Sequence, residues 1–275
     1  MTTTAKAMIF AAGLGTRLQP LTLCKPKALA EIDGIPLIEY AIKKLIYFGF
    51  NKIAINVHHF PEQILDFLKS KNNFNIEIFI SYENDKLLDT GGGLKKVTDF
   101  FSDKKPFLVY NVDILTDLNL LTLYNEHIES GALATLAVRN RKTLRYFLFD
   151  QNNFLCGWKN MTTNEIKIQS KSITKLRPFA FSGIQVLNYD IFNLINKYEG
   201  AFSITNCYVE LCSNYKIMAY NHDKTFWMDI GTIEHLHEAN EILSKNNFLR
   251  ILSKRKGKFY KKQSNEKSKN LILFI

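Results

Sequence analysis

Through residues 1–138, short apolar runs of strand length alternate with longer stretches whose apolar positions recur every three or four residues. The strand-like runs fall at 7–12, 52–57, 76–81, 107–111 and 133–138, and the helix-like stretches at 36–48, 61–71, 92–101 and 117–130. Pro36 stands early in its helix, where a missing N–H costs nothing. A strand, a crossing helix and a second strand make a βαβ unit, so the series predicts an α/β fold on a mostly parallel sheet flanked by helices.

After residue 139 the pattern turns β-rich. Strands are expected at 145–150 and 154–158, joined at Gln151-Asn152-Asn153, whose Asn residues suit a hairpin turn. A returning strand is expected at 180–187 and helices at 189–197, 204–213 and 232–243, the last opened by Thr232 as a cap. No repeat divides the chain, which reads as one domain over 1–245, with a half over 1–138 and a second over 139–245, and then a basic tail over 246–275.

The net charge of +10 points to nucleic acid only until it is located. Nine basic residues and one acid lie in 246–275, so eight of the ten net positive charges belong to the tail. The rest of the chain is nearly neutral, and nucleic acid is not an expected partner. No window approaches the ~18 consecutive apolar residues of a membrane span. Residues 1–6 lead into a strand and do not read as a secretory signal, so a cytoplasmic location is expected. Cys24, Cys156, Cys207 and Cys212 are scattered without zinc-ligand spacing and read as reduced, mostly buried thiols. His58-His59 sits on a strand exit with its side chains on opposite faces and no third ligand.

The segment after the first strand carries the most chemistry. It runs Ala11-Ala12-Gly13-Leu14-Gly15-Thr16-Arg17-Leu18-Gln19-Pro20-Leu21-Thr22 and reaches Lys25-Pro26-Lys27-Ala28-Leu29. Gly13 and Gly15 let backbone N–H groups approach anionic oxygens, Thr16 adds a hydroxyl, Arg17 offers a planar fork and Lys27 a compact charge. A Gly-x-Gly pair alone is as well read as a surface turn, and Leu18 breaks the dinucleotide pattern.

The whole string resembles the N-terminal signature of the sugar-1-phosphate nucleotidyltransferases, Gly-x-Gly-Thr-Arg-Leu-x-Pro-Leu-Thr followed by Pro-Lys-x-Leu. The resemblance implies a Rossmann-like sheet with a small β-rich sugar-binding region. It gives Ala11, Ala12, Gly13, Gly15 and Thr16 to the nucleoside triphosphate, Arg17 to the departing pyrophosphate and Lys27 to the α-phosphate. Leu88-Asp89-Thr90-Gly91-Gly92-Gly93 resembles the second nucleotide-facing loop, with Thr90 and Gly91 near base and ribose and Glu83 at the base edge. That string and the short length are most similar to N-acetylmuramate-1-phosphate uridylyltransferases and, next, mannose-1-phosphate guanylyltransferases.

Asn111-Val112-Asp113 stands at a strand end, where an open parallel sheet presents ligand-binding groups. By itself such an Asp reads as a cap or turn residue. The resemblance makes Asp113 a Mg²⁺ ligand, with Val112 replacing the usual small residue. Trp227-Met228-Asp229-Ile230-Gly231-Thr232 resembles the motif that supplies the second carboxylate, Asp229. The two acids lie 116 positions apart and meet only if the fold brings them together. For the sugar side, Asn111, Arg145 and Gly183 are candidates; the resemblance further implies a Glu-Lys-Pro that holds the sugar phosphate in many such enzymes, which is absent here, with Lys175, Arg177 or Arg145 as its alternatives.

The implied reaction joins a nucleoside triphosphate and a sugar-1-phosphate into a nucleotide-diphosphate sugar with release of pyrophosphate, by uridylyl or guanylyl transfer with Mg²⁺. A non-catalytic relative that binds sugar nucleotides is the competing reading, and self-association is left open.

Overall fold

The computed structural model describes residues 5–169 and 175–243. The basic tail and the boundary at 245 lie outside the described residues. The first half runs β1 (Lys6–Phe10), a hairpin of β2 (Glu31–Ile32) and β3 (Ile35–Pro36), α1 (Leu37–Tyr47), β4 (Lys52–Val57), α2 (Pro61–Ser70), β5 (Glu77–Tyr82), α3 (Asp89–Lys95) and β6 (Phe107–Asn111). Then come β7 (Ile114–Thr116), α4 (Leu120–Ser130), β8 (Ala134–Arg139), β9 (Arg145–Phe149), β10 (Leu155–Asn160), β11 (Ile166–Ile168) and β12 (Arg177–Leu187). The chain continues through α5 (Ile191–Ile195), α6 (Ile204–Leu211), β13 (Ile217–Asn221), β14 (Trp227–Asp229) and α7 (Ile233–Leu243).

β6, β1, β4 and β5 lie side by side and parallel. The chain builds outward from β1 to β4 and β5 and then crosses back to place β6 on the other side of β1. The reversal makes a switch point between the C-terminal ends of β1 and β6, the place where such sheets leave a crevice for ligand. The α/β expectation is met, with antiparallel strands on one side making the sheet mixed. β12 runs antiparallel between β6 and β8, and β13 adds to β8 in parallel.

β12 is longer than the expected returning strand because it serves two partners. Ile184–Leu187 pairs with β6 inside the main sheet, whereas Arg177–Phe179 pairs with β9 in the β-rich flank. The register shifts between Phe181 and Gln185, and Gly183 takes φ +74° within that shift. A side chain there would be strained, and its Cβ would stand 2.9 Å from Asn111 Nδ2.

Local chemistry sets the element ends. Asn119 caps α4 by accepting from the Leu121 and Thr122 N–H groups, and Gly131 closes it at φ +61°. Thr232 Oγ1 accepts from His235 N–H at the start of α7, as the sequence predicts. Pro36 sits just outside α1, not in it. The helix expected at 92–101 divides into α3 and a separate turn at Thr98–Phe101, because the backbone leaves helical geometry at Val97.

The sheet is covered on both faces by apolar clusters, one around Ile9, Ile42 and Leu108, the other around Met8, Phe101 and Phe107. A third cluster joins Leu18, Ile32, Leu37, Leu115, Met228, Ile230 and Leu243. It ties the glycine loop, β7, β14 and α7 into one packed unit, so the pieces that carry the chemical groups share a core. Fully burying each such Leu or Ile contributes about 1.5–3 kcal/mol. Cys156 and Cys207 are buried as expected, but Cys24 is exposed. No helix of the described residues is long and apolar enough to cross a membrane.

Candidate active site

A cleft of roughly 330 Å³ opens at the switch point, floored by Phe10 to Ala12 at the end of β1 and by Asn111 to Asp113 at the end of β6. Gly13, Gly15, Thr16, Arg17 and Lys27 line one wall, and Glu83, Asp89 and Thr90 the other. The turn after β1 forms because Gly15 adopts φ +65°, so that its carbonyl accepts from Leu18 N–H and from Thr22 Oγ1. A Cβ on Gly15 would lie 2.8 Å from Lys27 Cβ, so the glycine is what lets Lys27 come alongside the turn. Gly13 differs: it lines the cleft, and a Cβ there meets nothing of the protein within 4 Å.

The two distant acids do converge. β14 pairs antiparallel with β7, placing Asp229 opposite Ile114, and Ile230 N–H donates to the Asp113 carbonyl at 2.8 Å. Lys27 Nζ donates to Asp113 Oδ2 at 2.5 Å. Asp229 Oδ1 is buried and has no hydrogen-bond partner. Burial first, and then the charge of Asp113, raise the Asp229 carboxyl above its usual range, against the pull of Lys27, Arg17 and His235. Gly231 completes the cluster: a Cβ on it would stand 2.7 Å from Asp229 Oδ1 and 2.8 Å from Arg17 Nη2. In the sequence Gly231 stands within the Trp227–Thr232 motif with no role of its own, and the signal for one is a glycine two residues after the candidate ligand Asp229.

The β7–β14 strand pair that presents the acids is braced from beneath. Tyr110 Oη donates to the Ile114 carbonyl at 2.7 Å, and Lys44 Nζ donates to the Thr116 and Leu118 carbonyls at 2.9 and 2.8 Å. Burial pulls the Lys44 ammonium down to about 7.

Glu83 lines the cleft but is 1% exposed, and its carboxylate is engaged by the protein. Oε1 accepts from Asn56 Nδ2 at 2.7 Å and Oε2 from Leu88 N–H at 2.8 Å. Asn56 Oδ1 in turn accepts from Ala11 N–H at 2.8 Å. The relay joins the ends of β1, β4 and β5, so Glu83 orders both loops. Asn56, a polar residue closing an apolar strand, is the member that sequence reasoning missed. His58 Nδ1 contacts the Glu83 carbonyl and His59 Nε2 the Thr22 carbonyl, so the two rings serve different loops.

The glycine triplet in α3 is mainly about packing. A Cβ on Gly91 would stand 2.3 Å from the Phe202 ring, and Gly91 N–H donates to the Phe202 carbonyl. Gly91 therefore faces Phe202 and does not line the cleft, in contrast to the expectation from the motif. Thr90 does line it, while its Oγ1 accepts from Ile204 N–H.

On the sugar side the expected set divides. Asn111 lines the cleft and Gly183 packs against it, but Arg145 is exposed on β9 and lines no part of it. Of the alternatives, Lys175 is exposed, and Arg177 Nη2 donates to Asp150 O, Gln151 O and Asn153 Oδ1, closing the hairpin turn. Sequence reasoning passed over Arg141, which stacks on Trp227 with Cζ 4.4 Å from the ring centroid.

A family model described as "Nucleotidyl transferase" matches residues 6–246. A UTP–glucose-1-phosphate uridylyltransferase of Synechocystis is 37% identical over 145 residues, covering 49% of this chain and 37% of that protein. A mannose-1-phosphate guanyltransferase of Yarrowia lipolytica is 27% identical over 229 residues, covering 82% of this chain and 60% of that protein. The chain thus spans between about a third and three fifths of these relatives' length. Among solved structures, a Bacillus anthracis chain in complex with sucrose, provisionally named a glucose-1-phosphate thymidylyltransferase, superposes with TM-score 0.74 at 21% identity, covering 89% of this chain and 97% of that one. At that identity the likeness speaks to the fold.

Proposed function

The chain belongs to the nucleotidyl transferase family, and on that premise we propose that it transfers a nucleotidyl group from a nucleoside triphosphate to a sugar-1-phosphate, by uridylyl or guanylyl transfer, releasing pyrophosphate. The observation that carries this reading is the meeting of Lys27, Asp113, Asp229 and Arg17 at one glycine turn. Two such anionic substrates repel each other, and the acceptor phosphate is already a nucleophile. The protein therefore needs no covalent intermediate. It needs orientation and preorganised positive charge.

Each group has a place in that scheme. Gly13 leaves room for phosphate oxygens to reach backbone N–H groups. Arg17 draws off the pyrophosphate, and Lys27, held in register by Asp113, faces the equatorial oxygens of the α-phosphoryl group. Glu83 and Asn56 hold the β1 loop and the Leu88 loop at a fixed separation for the nucleoside.

Asp113 and Asp229 suit Mg²⁺, which takes oxygen donors and usually one or two carboxylates, completing its shell with phosphates and water. The orphaned, buried Oδ1 of Asp229 beside a second acid is the arrangement that a cation relieves. When bound, Mg²⁺ supplies charge neutralisation on the triphosphate.

The test is pyrophosphate release by the folded protein with each ribonucleoside triphosphate and dTTP against several sugar-1-phosphates, with and without Mg²⁺. Mg²⁺-dependent release from UTP or GTP with a sugar-1-phosphate is expected. No release from any pair would favour the non-catalytic sugar-nucleotide-binding reading.

A further inference from the structure

Lys44 stands on α1 and is 1% exposed, in a fold whose other lysines mostly reach solvent. Lysine is rarely buried to this degree unless its charge is met, because an ammonium loses its hydration on leaving water. Burial lowers the pKa of Lys44, and the charge of Asp117 opposes that shift. The stem passes the Phe48 ring, with Nζ 5.2 Å from its centroid. An unbranched apolar side chain would fill the same space without the desolvation cost. Packing alone therefore gives no reason for an amine here, and the reason must lie in what the amine holds.

It holds the far end of the strand pair that carries the acids. Lys44 Nζ donates to the carbonyls of Thr116 and Leu118, and residues 116–118 fasten the residue that precedes β14. Thr116 Oγ1 donates to the Phe226 carbonyl and accepts from Leu118 N–H at 3.1 Å. Asp117 Oδ1 accepts from Phe226 N–H at 2.8 Å, and Asp117 N–H donates to the Phe226 carbonyl at 3.3 Å. From there the register runs Thr116 opposite Trp227, Leu115 opposite Met228 and Ile114 opposite Asp229, and ends on the bond from Ile230 N–H to the Asp113 carbonyl. Thr116 is three residues from Asp113, about 10 Å along an extended chain. Lys44 lines no part of the cleft, so it reaches the acids only through this backbone.

We infer that Lys44 is a positioning residue: by tying residues 116–118 to α1 it fixes β7 and β14 together and so sets the separation of the Asp113 and Asp229 carboxylates. This deepens the transferase reading and rests on it for the use made of the two acids. Two hydrogen bonds from one amine to carbonyls two residues apart fix both the position and the direction of that backbone, which an apolar contact does not. Without them the two carbonyls lose a donor, and the strand pair is free to shift against the sheet.

The test compares Lys44→Met, which keeps the length and removes every donor, with Lys44→Gln, which keeps an amide donor on a shorter stem. Mn²⁺, a paramagnetic stand-in for Mg²⁺, is titrated onto the full chain and followed by electron paramagnetic resonance, and pyrophosphate release gives kcat and KM on the same folded proteins. Lys44→Met should weaken Mn²⁺ binding about 10-fold and lower kcat ~10- to 100-fold, with KM for both substrates within about threefold, as a displacement of about 1 Å at the reacting centre requires. Lys44→Gln should fall between Lys44→Met and wild type in both readouts. Wild-type Mn²⁺ affinity and kcat in a folded Lys44→Met protein, or a loss confined to its melting temperature, would overturn the inference, as would the absence of Mn²⁺ binding by the wild type. If Lys44→Met is unfolded at 25 °C by circular dichroism, Lys44→Gln decides, since wild-type values there in both readouts would also overturn it. Weakened Mn²⁺ binding in Lys44→Met, with no pyrophosphate release from any substrate pair by the wild type, would keep the positioning role and remove the transferase reading.

Discussion

Replacing Gly231 by Ala adds one methyl group where the glycine loop meets the β7–β14 strand pair that carries the acids. Its Cβ would begin 2.7 Å from Asp229 Oδ1 and 2.8 Å from Arg17 Nη2, against ordinary contact at 3.4 Å and beyond. The two side chains must therefore retreat by roughly 0.6–0.7 Å, mostly through the flexible end of Arg17. Gly231 is outside the left-handed region, so Ala introduces no backbone strain. Stability should hold or rise by up to ~1 kcal/mol through the unfolded chain. A displacement of about 1 Å at a reacting centre costs ~10²-fold, and this smaller one should lower kcat by ~10- to 100-fold, or about 1.4–2.7 kcal/mol in the barrier. Steady-state pyrophosphate release and a melting curve measure both quantities. A folded Gly231→Ala protein with wild-type kcat would refute the reasoning, and a large fall in melting temperature would make Gly231 a packing residue instead.

The two loop glycines should separate in the same assays. Gly13→Ala should keep its melting temperature and raise KM for the nucleotide, whereas Gly15→Ala should lose at least about 1–2 kcal/mol of stability through its left-handed backbone. Equal behaviour of the two would argue against ligand approach at Gly13. Burial depresses both His127 and His222 to about 4. Between pH ~6.5 and about 4 the unfolded chain binds protons that the native imidazoles refuse, so stability should fall on acidification by ~1.4 kcal/mol per pH unit per histidine. Melting curves of wild type and His127→Gln across that range check it, since the variant should show a shallower slope. Asp229→Asn should melt at the same or a higher temperature at pH 7, because the native carboxyl is raised by burial and Asp113. Its contribution to stability is therefore greatest when protonated and is lost as pH rises through the native value; a clear drop in melting temperature would contradict that sign.

The βαβ series was legible because β1, β4 and β6 carry near-continuous apolar runs, as strands buried on both faces must. β7 and β14 were not, since three residues give no period to detect, yet their pairing is what joins Asp113 to Asp229. The motifs located those acids, and only the fold could show that one holds Lys27 while the other keeps an orphan oxygen. Glu83 and Gly91 show the limit of carrying roles by position. One spends its oxygens on Asn56 and Leu88, and the other makes room for Phe202. Arg145 and Arg141 differ by four residues, but exposure and stacking, which no spacing reveals, distinguish them.

The most direct test of the account is Mg²⁺-dependent pyrophosphate release by Asp113→Asn and Asp229→Asn beside wild type, using the best substrate pair and proteins shown to be folded. Loss of most turnover in both variants, and of wild-type turnover when divalent cations are chelated, is the predicted result. Wild-type rates in either variant, or undiminished turnover in chelator, would contradict it.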